Sequence, residues 1–329
     1  MNYLLKFKNY ILLLLLLFIA VQFFVIFPQK ITQNENPIDD KSTSLNTEEY
    51  NQEMTGVHLV ESADTNRDWE MFSKEARGNQ ESGKWDLGGV KINIYNKNKI
   101  EFIVDGDRGA VAGDRQDLQI DGNVQIRSGN GYILTCRSAK YLAKSRELIG
   151  EGPIKVFDGD KKAKEKFNLT GSRLKINVPD SKMYVFGPVL ARRDLSAEKF
   201  VTLKSQRALL SSLISEVVFS EKLEIVYNNF IVHGQEAQLK FQDKDKILQK
   251  LNIKGGVKLK DSIRTATADS VEIDFKTQNI SLNGNPYVVS GEDEIRGDKI
   301  ILVDGGKKVI VEKIREIYYI ANVKFHIDE

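Results

Sequence analysis

The residue types best suited to chemistry are few in this 329-residue chain, and they lie far apart. The three histidines are His58, His233 and His326, and none stands at a metal-ligand spacing from a cysteine or a carboxylate. Cys136 is the single cysteine, so no intramolecular disulfide can form, and its strand-like context is typical of a small buried apolar side chain. The sequence therefore predicts no metal site, no cofactor and no cysteine nucleophile.

Motifs for covalent catalysis and for nucleotide binding are also missing from the sequence. There is no Gly-x-Ser-x-Gly, no His-Glu-x-x-His and no Walker-type loop. Carboxylates such as Asp105, Asp107 and Glu292–Glu294 fall in turn sequences, where acids usually cap or solvate the chain. A glycan hydrolase of the envelope with two converging carboxylates stays an alternative that no motif supports. We expect a protein that is not an enzyme and has no catalytic residue.

The overall charge of the chain is nearly balanced. The 48 Lys+Arg and 46 Asp+Glu leave a net charge of +2, so the composition lacks the basic excess that is typical of nucleic-acid binding. We therefore expect no nucleic-acid partner.

The elements that must position these residues are β-strands, and one strand pattern occurs twice. Residues 118–126 (LQIDGNVQI) recur as residues 251–259 (LNIKGGVKL), at an offset of 133 residues. In both copies apolar residues alternate with polar ones and a glycine interrupts the run, which indicates a half-buried strand with a bulge or a close backbone approach. The same offset relates Gly152-Pro153 to the Gly284–Pro286 segment. The chain is thus predicted to be built by repetition.

From Gly56 onward nearly every segment has the alternation of a short strand, with Gly, Asp and Asn between segments. This spacing predicts an all-β jelly roll or sandwich that is elongated, with free sheet edges at its two ends. Ser205–Ser215 could form one or two helical turns. Asn66–Glu75 fits either a helix or a strand, and as a strand it would place Trp69 and Met71 on one side.

The N-terminal segment predicts a membrane anchor followed by a tether. Tyr10–Phe27 is apolar and long enough to span a bilayer as a helix, and Lys6 and Lys8 precede it, so the N-terminus is expected in the cytoplasm. A cleaved signal peptide is the alternative, but the segment offers no small-x-small cleavage site. We assign residues 1–28 to the anchor and the polar residues 29–55 to a flexible linker.

Four features, in order along the chain, carry a family resemblance: the short-tailed anchor, Asp68–Ala76 (DWEMFSKEA), Trp85–Ile92 (WDLGGVKI), and the run from Leu118 to Val156. Together they resemble the LptC family and the related OstA-like domains of the lipopolysaccharide-transport system of Gram-negative bacteria. The resemblance divides the soluble part into an LptC-like jelly roll at 56–193 and a second OstA-like array at 194–329. A typical LptC-like protein ends after one jelly roll, so the second array leaves open whether this chain supplies part of a bridge or a domain with another ligand.

The resemblance implies an open, V-shaped jelly roll of OstA-like repeats whose apolar groove shields lipopolysaccharide acyl chains. It implies an inner-membrane, single-pass protein with most of its chain in the periplasm, which accepts lipopolysaccharide from an ABC-type extractor and passes it to an OstA-like bridge protein. The groove would be lined by Leu118, Ile120, Val124, Ile126, Ile154, Val156, Leu174, Ile176, Leu251, Ile253, Val257 and Leu259. The same alternation would equally suit a closed packed core, and the protein would then be a periplasmic scaffold that recruits partners through its sheet edges.

Two further segments suggest contacts. The C-terminal segment is β-prone and lacks Pro and Gly, so it is either a strand of the last repeat or an edge that pairs with the bridge protein. The candidate edge residues are Ile317, Tyr318, Tyr319, Ile320, Val323 and Phe325. The basic cluster Lys161–Lys166 is either a solvated hairpin loop or a contact with headgroup phosphates or the membrane surface.

Overall fold

The computed structural model describes residues 52–63, 66–79, 83–112, 117–159, 166–196, 198–211, 216–242, 247–304 and 306–318, with only the backbone described at 63, 112 and 313–318. The predicted anchor, most of the linker and residues 161–165 of the basic cluster lie outside these ranges. Over the ranges that are described, no helix has the length and apolar character to span a membrane.

Every regular element in the described ranges is a β-strand, which confirms the all-β prediction. The strands are β1 Gln52–Ala63, β2 Asn66–Asn79, β3 Lys84–Asn96, β4 Lys99–Ala112, β5 Leu118–Ser128, β6 Tyr132–Leu142, β7 Glu147–Asp158, β8 Phe167–Asn177, β9 Lys182–Asp194, β10 Phe200–Ser211, β11 Glu216–Tyr227, β12 Phe230–Phe241, β13 Leu248–Lys260, β14 Arg264–Asp274, β15 Asn279–Asn283, β16 Tyr287–Ser290, β17 Asp293–Val303 and β18 Lys308–Tyr318.

Both segments with a possible helical reading belong to strands. β2 covers Asn66–Glu75 and buries Trp69, Met71 and Ser73 on one side. The helical prediction for Ser205–Ser215 is wrong as far as Ser211, because that stretch continues β10 and pairs on both sides. Its serines and its short apolar run fit a helix as well as a strand, and the two neighbouring strands decide between them.

Consecutive strands pair antiparallel along the whole described chain. β15 and β16 act as the two halves of one strand, since both pair with β14 on one side and with β17 on the other. β9 and β10 pair from Lys182↔Ser211 to Asp194↔Phe200, so the hydrogen-bonded ladder continues across the predicted boundary at residue 193. Within the described ranges the result is one continuous antiparallel meander.

Most strands turn a corner near their middle, where the pairing register shifts. Alternate strands carry a left-handed residue at this corner, at Gly89, Gly122, Asn123, Gly152, Gly187, Glu221, Lys222, Gly255, Gly256, Gly284 and Asn285. The predicted strand interruption by glycine is therefore confirmed in both copies of the repeat, and Gly152 and Gly284 also have positive φ values. A bulge of this kind bends a strand sharply, so each strand contributes one half to each of two facing walls.

The two ends of each strand are brought toward each other, because the sheet folds over at these corners. We call lip 1 the hairpins that follow β1, β3, β5, β7, β9, β11, β13 and β16, and lip 2 the hairpins that follow β2, β4, β6, β8, β10, β12, β14 and β17. In a flat sheet of such strands the lips would be roughly 35–40 Å apart at about 3.3 Å per residue. Instead Arg146 on lip 2 lies 2.6 Å from Asp68 on lip 1, measured from Nε to Oδ1. We call the line along which the lips meet the seam.

The folded sheet has a wedge-shaped cross-section, narrow at the corners and wide at the lips, and side-chain size follows this shape. Alanines lie next to the corners, at Ala76, Ala139, Ala208, Ala237 and Ala268. Glycine is required at some corners, since a Cβ on Gly106 would lie 2.3 Å from Ile120 Cγ2. Large buried aromatic residues lie toward the strand ends, at Phe102, Tyr132, Tyr141, Phe167, Tyr227 and Phe230. Small residues thus fill the narrow angle and large ones fill the wide mouth, as dense packing requires.

Candidate functional site

The candidate site is the apolar interior between the two walls. All twelve predicted groove residues point into it, and each is 2% exposed or less. They belong to one contiguous cluster of buried side chains that extends from Trp69 on β2 to Val311 on β18. The structure therefore brings the two predicted sets, one from each array, into one apolar interior. Their role as lipid contacts stays a prediction.

The interior is occupied by the protein's own side chains in this arrangement. Leu118, Ile126 and Leu251 have at most 1% of their surface exposed, so no slot reaches them from solvent. A chain of apolar contacts of this length is compatible with a packed core and with a route for acyl chains, since the two differ only in whether the walls separate. The contacts along the seam decide how the walls are held.

Near the N-terminal end the seam is held by a charged cluster. Asp68 on lip 1 is 6% exposed and accepts hydrogen bonds from Arg146 Nε at 2.6 Å and from the Tyr141 hydroxyl at 3.3 Å, both on lip 2. Arg146 also donates to the carbonyl oxygen of Tyr95 on lip 1. Burial, and then the charge of Asp68, raises the pKa of Tyr141, so its hydroxyl remains a donor at physiological pH.

A second charged pair lies at the middle of the seam. Arg193 at the end of β9 is 1% exposed, with Nη1 at 3.4 Å from Asp158 Oδ2. Its guanidinium lies 5.4 Å from the ring centroid of Phe241, which belongs to lip 2. Burial, followed by the charge of Asp158, raises the pKa of Tyr132 to about 12. Arg193 and Asp158 both belong to lip 1, so the contact of Arg193 with Phe241 is the one that crosses the seam here.

A third buried pair, Asp261 with Arg264, lies within lip 1 near the C-terminal end, and Arg264 makes the contact across the seam. Asp261 accepts hydrogen bonds from the backbone amides of Ile263 at 2.9 Å and Arg264 at 2.7 Å, and from Arg264 Nη2 at 2.7 Å. Arg264 Nη1 donates to the carbonyl oxygen of Gly306 on lip 2 at 2.6 Å. Burial alone would raise the pKa of Asp261, but these hydrogen bonds outweigh it and the pKa is lowered.

Further contacts bridge the seam between these pairs, and in each of them at least one of the two side chains is uncharged. Three of them are Asn96 Nδ2 to Ser181 Oγ at 3.3 Å, Lys199 Nζ to Gln278 Oε1 at 3.0 Å, and an edge-to-face pair of Tyr227 and Phe275 with centroids 5.1 Å apart. No sequence signal indicates these seam contacts, because the partners are far apart in the chain and each is an ordinary turn residue. The alternating pattern identifies which side chains point inward, but it carries no information on which hairpins meet.

The outer surface adds little to the candidate site. A polar recess at the corner of β1 to β4 is lined by Thr55, Lys74, Glu75, Gly88, Gly89, Gly106, Asp107 and Arg108. His58 is exposed on β1, with Nε2 at 2.9 Å from Glu70 and its ring stacked on Phe72, and His233 is exposed on β12. Within the described ranges no group of three potential metal ligands occurs. His326 lies outside them.

Both ends of the meander present strand edges. β1 pairs with β2 and β18 with β17, and no further strand pairing is found for either in the described ranges. On β1, Met54, Leu59 and Val60 are 40–47% exposed. Of the predicted partner edge, Ile317 and Tyr318 lie on β18, whereas Tyr319, Ile320, Val323 and Phe325 lie outside the described residues. Partner binding by this edge stays a prediction.

A continuous antiparallel sheet folded lengthwise around an apolar interior defines the class of this protein, a long β jelly roll. The family model described as "Lipopolysaccharide-assembly, LptC-related" matches residues 12–192, and the chain belongs to this family. A second model, "LptA/(LptD N-terminal domain) LPS transport protein", matches residues 202–305. The predicted resemblance is thereby confirmed, with an LptC-like first part and an OstA-like second part.

The similarity of this chain to individual known proteins is low. No curated protein matches it. Among solved structures, LptH of Pseudomonas aeruginosa, described as the LptA-homologous periplasmic component of the lipopolysaccharide transport device, matches at 12% identity and a TM-score of 0.31. That match covers 34% of this chain and 82% of LptH.

Proposed function

We propose that this protein is an inner-membrane-anchored, periplasmic component of lipopolysaccharide transport. It accepts lipopolysaccharide from an ABC-type extractor and passes it along its interior to an OstA-like bridge protein. Residues 1–28 form a single-pass anchor with the N-terminus in the cytoplasm, and residues 29–55 tether the jelly roll near the bilayer. Family membership supports the transport role, and the flanking lysines support the orientation of the anchor.

The observation that carries this proposal is the unbroken apolar interior. Inward-facing residues of the LptC-like part and of the OstA-like part belong to the same buried cluster. Burial of each methylene is worth about 0.8 kcal/mol, so a lipid with several acyl chains needs a continuous apolar path to leave one membrane for another. An interior that extends through both parts offers such a path, in an open V-shaped state of the jelly roll.

The role requires no chemistry from this chain. A lipid that moves between apolar sites of similar affinity needs only a supply at one end and removal at the other. The ATPase of the extractor supplies the free energy, and the edge strands β1 and β18 offer the main-chain groups through which neighbouring jelly rolls extend the sheet. The protein acts as a binding conduit and not as an enzyme.

One observation favours a second candidate function. The interior is filled by side chains with almost no exposed surface, as in a closed core. A closed jelly roll would serve as a periplasmic scaffold that joins envelope partners through its edges and carries no lipid. Transport therefore depends on separation of the two walls.

Photocrosslinking in cells distinguishes the two functions. A photoreactive amino acid is placed at Ile126, which points inward and is fully buried, and in a matched variant at Gln125, its outward-facing neighbour on β5. The conduit predicts a lipopolysaccharide adduct from Ile126 and none from Gln125. An Ile126 variant that is folded and gives no adduct would support the scaffold instead.

A further inference from the structure

The exposed apolar side chains on the outside of the jelly roll lie on one wall. Wall 1 consists of the strand halves between the corners and lip 1, such as residues 189–194 of β9, and wall 2 of the halves between the corners and lip 2, such as residues 182–186. Met54 and Leu59 point to the interior side of edge strand β1, like their buried partners on β2. Every other exposed large apolar side chain in the described ranges lies on the outer side of wall 1 or in lip 1. Half-buried apolar side chains occur on both walls, so the asymmetry concerns the exposed ones.

Between β7 and β13 the outer side of wall 1 also carries unpaired cations. Cross-strand partners share a face of the sheet, and the register places Lys155, Leu190 and Lys258 in one row across these seven strands. Ile231 and Lys260 are direct partners in the next row toward lip 1. In the described part of the chain none of the three lysines forms a hydrogen bond or an ion pair. We call the outer side of wall 1 from β7 to β13 the basic face.

The acids of the basic face are neutralised by neighbouring cations. Asp194 and Glu224 form ion pairs at 2.8 Å and 2.7 Å, with an arginine and a lysine of the same face. Wall 2 differs, because Glu151 and Glu236 are exposed on its outer side and form no ion pair within the described ranges. A surplus of positive charge and exposed apolar side chains therefore coincide on one face of the molecule.

The spacing of the apolar side chains distinguishes a bilayer from a protein as the occupant of this face. The core of a protein interface is a contiguous apolar patch that is poor in lysine. On the basic face Leu190 has a threonine and a lysine as its cross-strand partners, and Ile231 has the half-buried Val226 and Lys260. Separate apolar side chains among lysines suit the interfacial region of an anionic bilayer, where apolar groups enter between headgroups and ammonium groups meet phosphates.

The predicted linker keeps a bilayer within reach of this face. The residues between the predicted anchor and β1 span roughly 25–30 Å as a flexible chain. The basic face extends about 30 Å across its strands, at about 4.8 Å per strand. A tethered domain meets the surface at a high effective concentration, so contacts that are weak individually are sufficient to hold it there.

We propose that the basic face binds the anionic phospholipid surface of the bilayer that holds the anchor. Its three unpaired lysines meet headgroup phosphates, and Leu190 and Ile231 enter between the headgroups. This inference rests on the anchor of the proposed function. It orients the jelly roll, since wall 1 faces the bilayer and wall 2 faces the periplasm.

The test measures bilayer contact on the two walls from a single strand. Ile231 and Lys240 both lie on the outer side of β12 and are exposed, but Ile231 belongs to wall 1 and Lys240 to wall 2. The full-length chain carries the fluorophore nitrobenzoxadiazole on Ile231→Cys or, as the matched control, on Lys240→Cys. The native Cys136 is buried and stays unlabelled. Each chain is reconstituted into phosphatidylcholine liposomes with or without phosphatidylglycerol, and doxyl-labelled lipids report contact by quenching.

We expect quenching at Ile231→Cys to be at least about twofold stronger with phosphatidylglycerol than without it, and little quenching at Lys240→Cys in either case. Joint replacement of the three lysines, by Lys155→Glu, Lys258→Glu and Lys260→Glu, should remove this excess, because attraction becomes repulsion. Circular dichroism checks that this variant is folded. High salt screens the same attraction without any substitution and should lower the quenching in parallel.

Three results would overturn the proposal. They are equal quenching at the two labelled positions, quenching at Ile231→Cys that neither the lysine replacements nor high salt reduces, and absence of quenching at both. The last result would leave a protein as the occupant of the basic face. Failure of the proposed function has separate signs: extraction of the chain from liposomes by alkaline carbonate would contradict the anchor, and absence of lipopolysaccharide adducts from Ile126 would contradict transport.

Discussion

Single residues at the seam combine burial with charge, and Arg264 is the clearest case. Asp261 is fully buried in its side chain and Arg264 is 9% exposed there, so removal of the guanidinium leaves a carboxylate without its main counter-charge. We expect Arg264→Gln to lower the free energy of unfolding by about 3 kcal/mol at pH 7. Urea unfolding of the chain measures this change. The Lys307→Gln variant is the control, because its pair with Asp304 is exposed and should contribute little.

The same site predicts a pH dependence with a definite sign. The pKa of Asp261 is lowered in the folded state, so its ionised form stabilises the fold above the unfolded pKa, and that stabilisation is lost as the pH falls through the folded pKa. Arg264→Gln removes one of the interactions that lower this pKa. Its acid unfolding midpoint should therefore lie at higher pH than that of the unchanged protein. An unchanged midpoint would show that the pair does not contribute to acid stability.

Cys136 provides a residue-scale probe of whether the interior is closed. Burial raises the pKa of its thiol to about 11, so very little thiolate is present at pH 8. We expect almost no reaction with a thiol reagent such as dithionitrobenzoate at pH 8, and complete reaction after unfolding in guanidinium chloride. Rapid reaction of the folded protein would indicate that the walls separate readily without a ligand.

At the scale of strands, the corner determines how each element bends. Gly187 has a φ of 96°, and a Cβ there would lie 1.9 Å from Ser172 Oγ on β8. Gly187→Ala should destabilise the protein by about 2 kcal/mol, because the left-handed backbone becomes strained and the neighbouring strand has to move. Urea unfolding midpoints provide the measurement.

Gly129→Ala is the matched glycine control for Gly187→Ala. Gly129 has no positive φ, and its added Cβ would approach only carbonyl oxygens at 3.5 Å and 3.7 Å. We expect a change below about 0.5 kcal/mol for this variant. Equal destabilisation by both substitutions would mean that the corner has no special requirement for glycine.

The strands were largely predictable from the sequence, and the reason is local. Alternation identifies the inward residues of β5 and β13, and glycine identifies their corners, because both signals depend only on neighbouring residues. The corner of β11 could not be predicted in this way, because Glu221 and Lys222 take the left-handed conformation there without a glycine. Ser205–Ser211 was misread because its strand character depends on pairing with β9 and β11.

The seam belongs to the scale of the whole molecule, and the sequence did not predict it. Lys199 and Gln278 meet only because the sheet folds over and several strands separate them along it. Neither the residue types nor their spacing in the sequence predicts such a pair. The twelve inward residues could be named from the sequence, but whether they form a packed core or line an open groove depends on how firmly the lips are joined.

The edge strand β18 leads to a prediction about assembly. In the described part of the chain β18 pairs with β17 alone, and we propose that the bridge protein adds a strand to its other side. Deletion of residues 317–329 should abolish capture of the bridge protein in a pull-down, while circular dichroism and the unfolding midpoint of the jelly roll remain unchanged. Undiminished capture would place the contact elsewhere.

Lipid passage through both parts of the jelly roll is tested most directly by photocrosslinking at two depths in the same cellular assay. Ile126 lies in the LptC-like part and Leu259 in the OstA-like part, and both are buried. Lys258 is the outward-facing control for Leu259, as Gln125 is for Ile126. We expect lipopolysaccharide adducts from Ile126 and Leu259 and none from the two controls. Adducts from Ile126 alone would restrict transport to the first part, and a folded protein without adducts at either position would contradict lipid transport and identify the molecule as a scaffold.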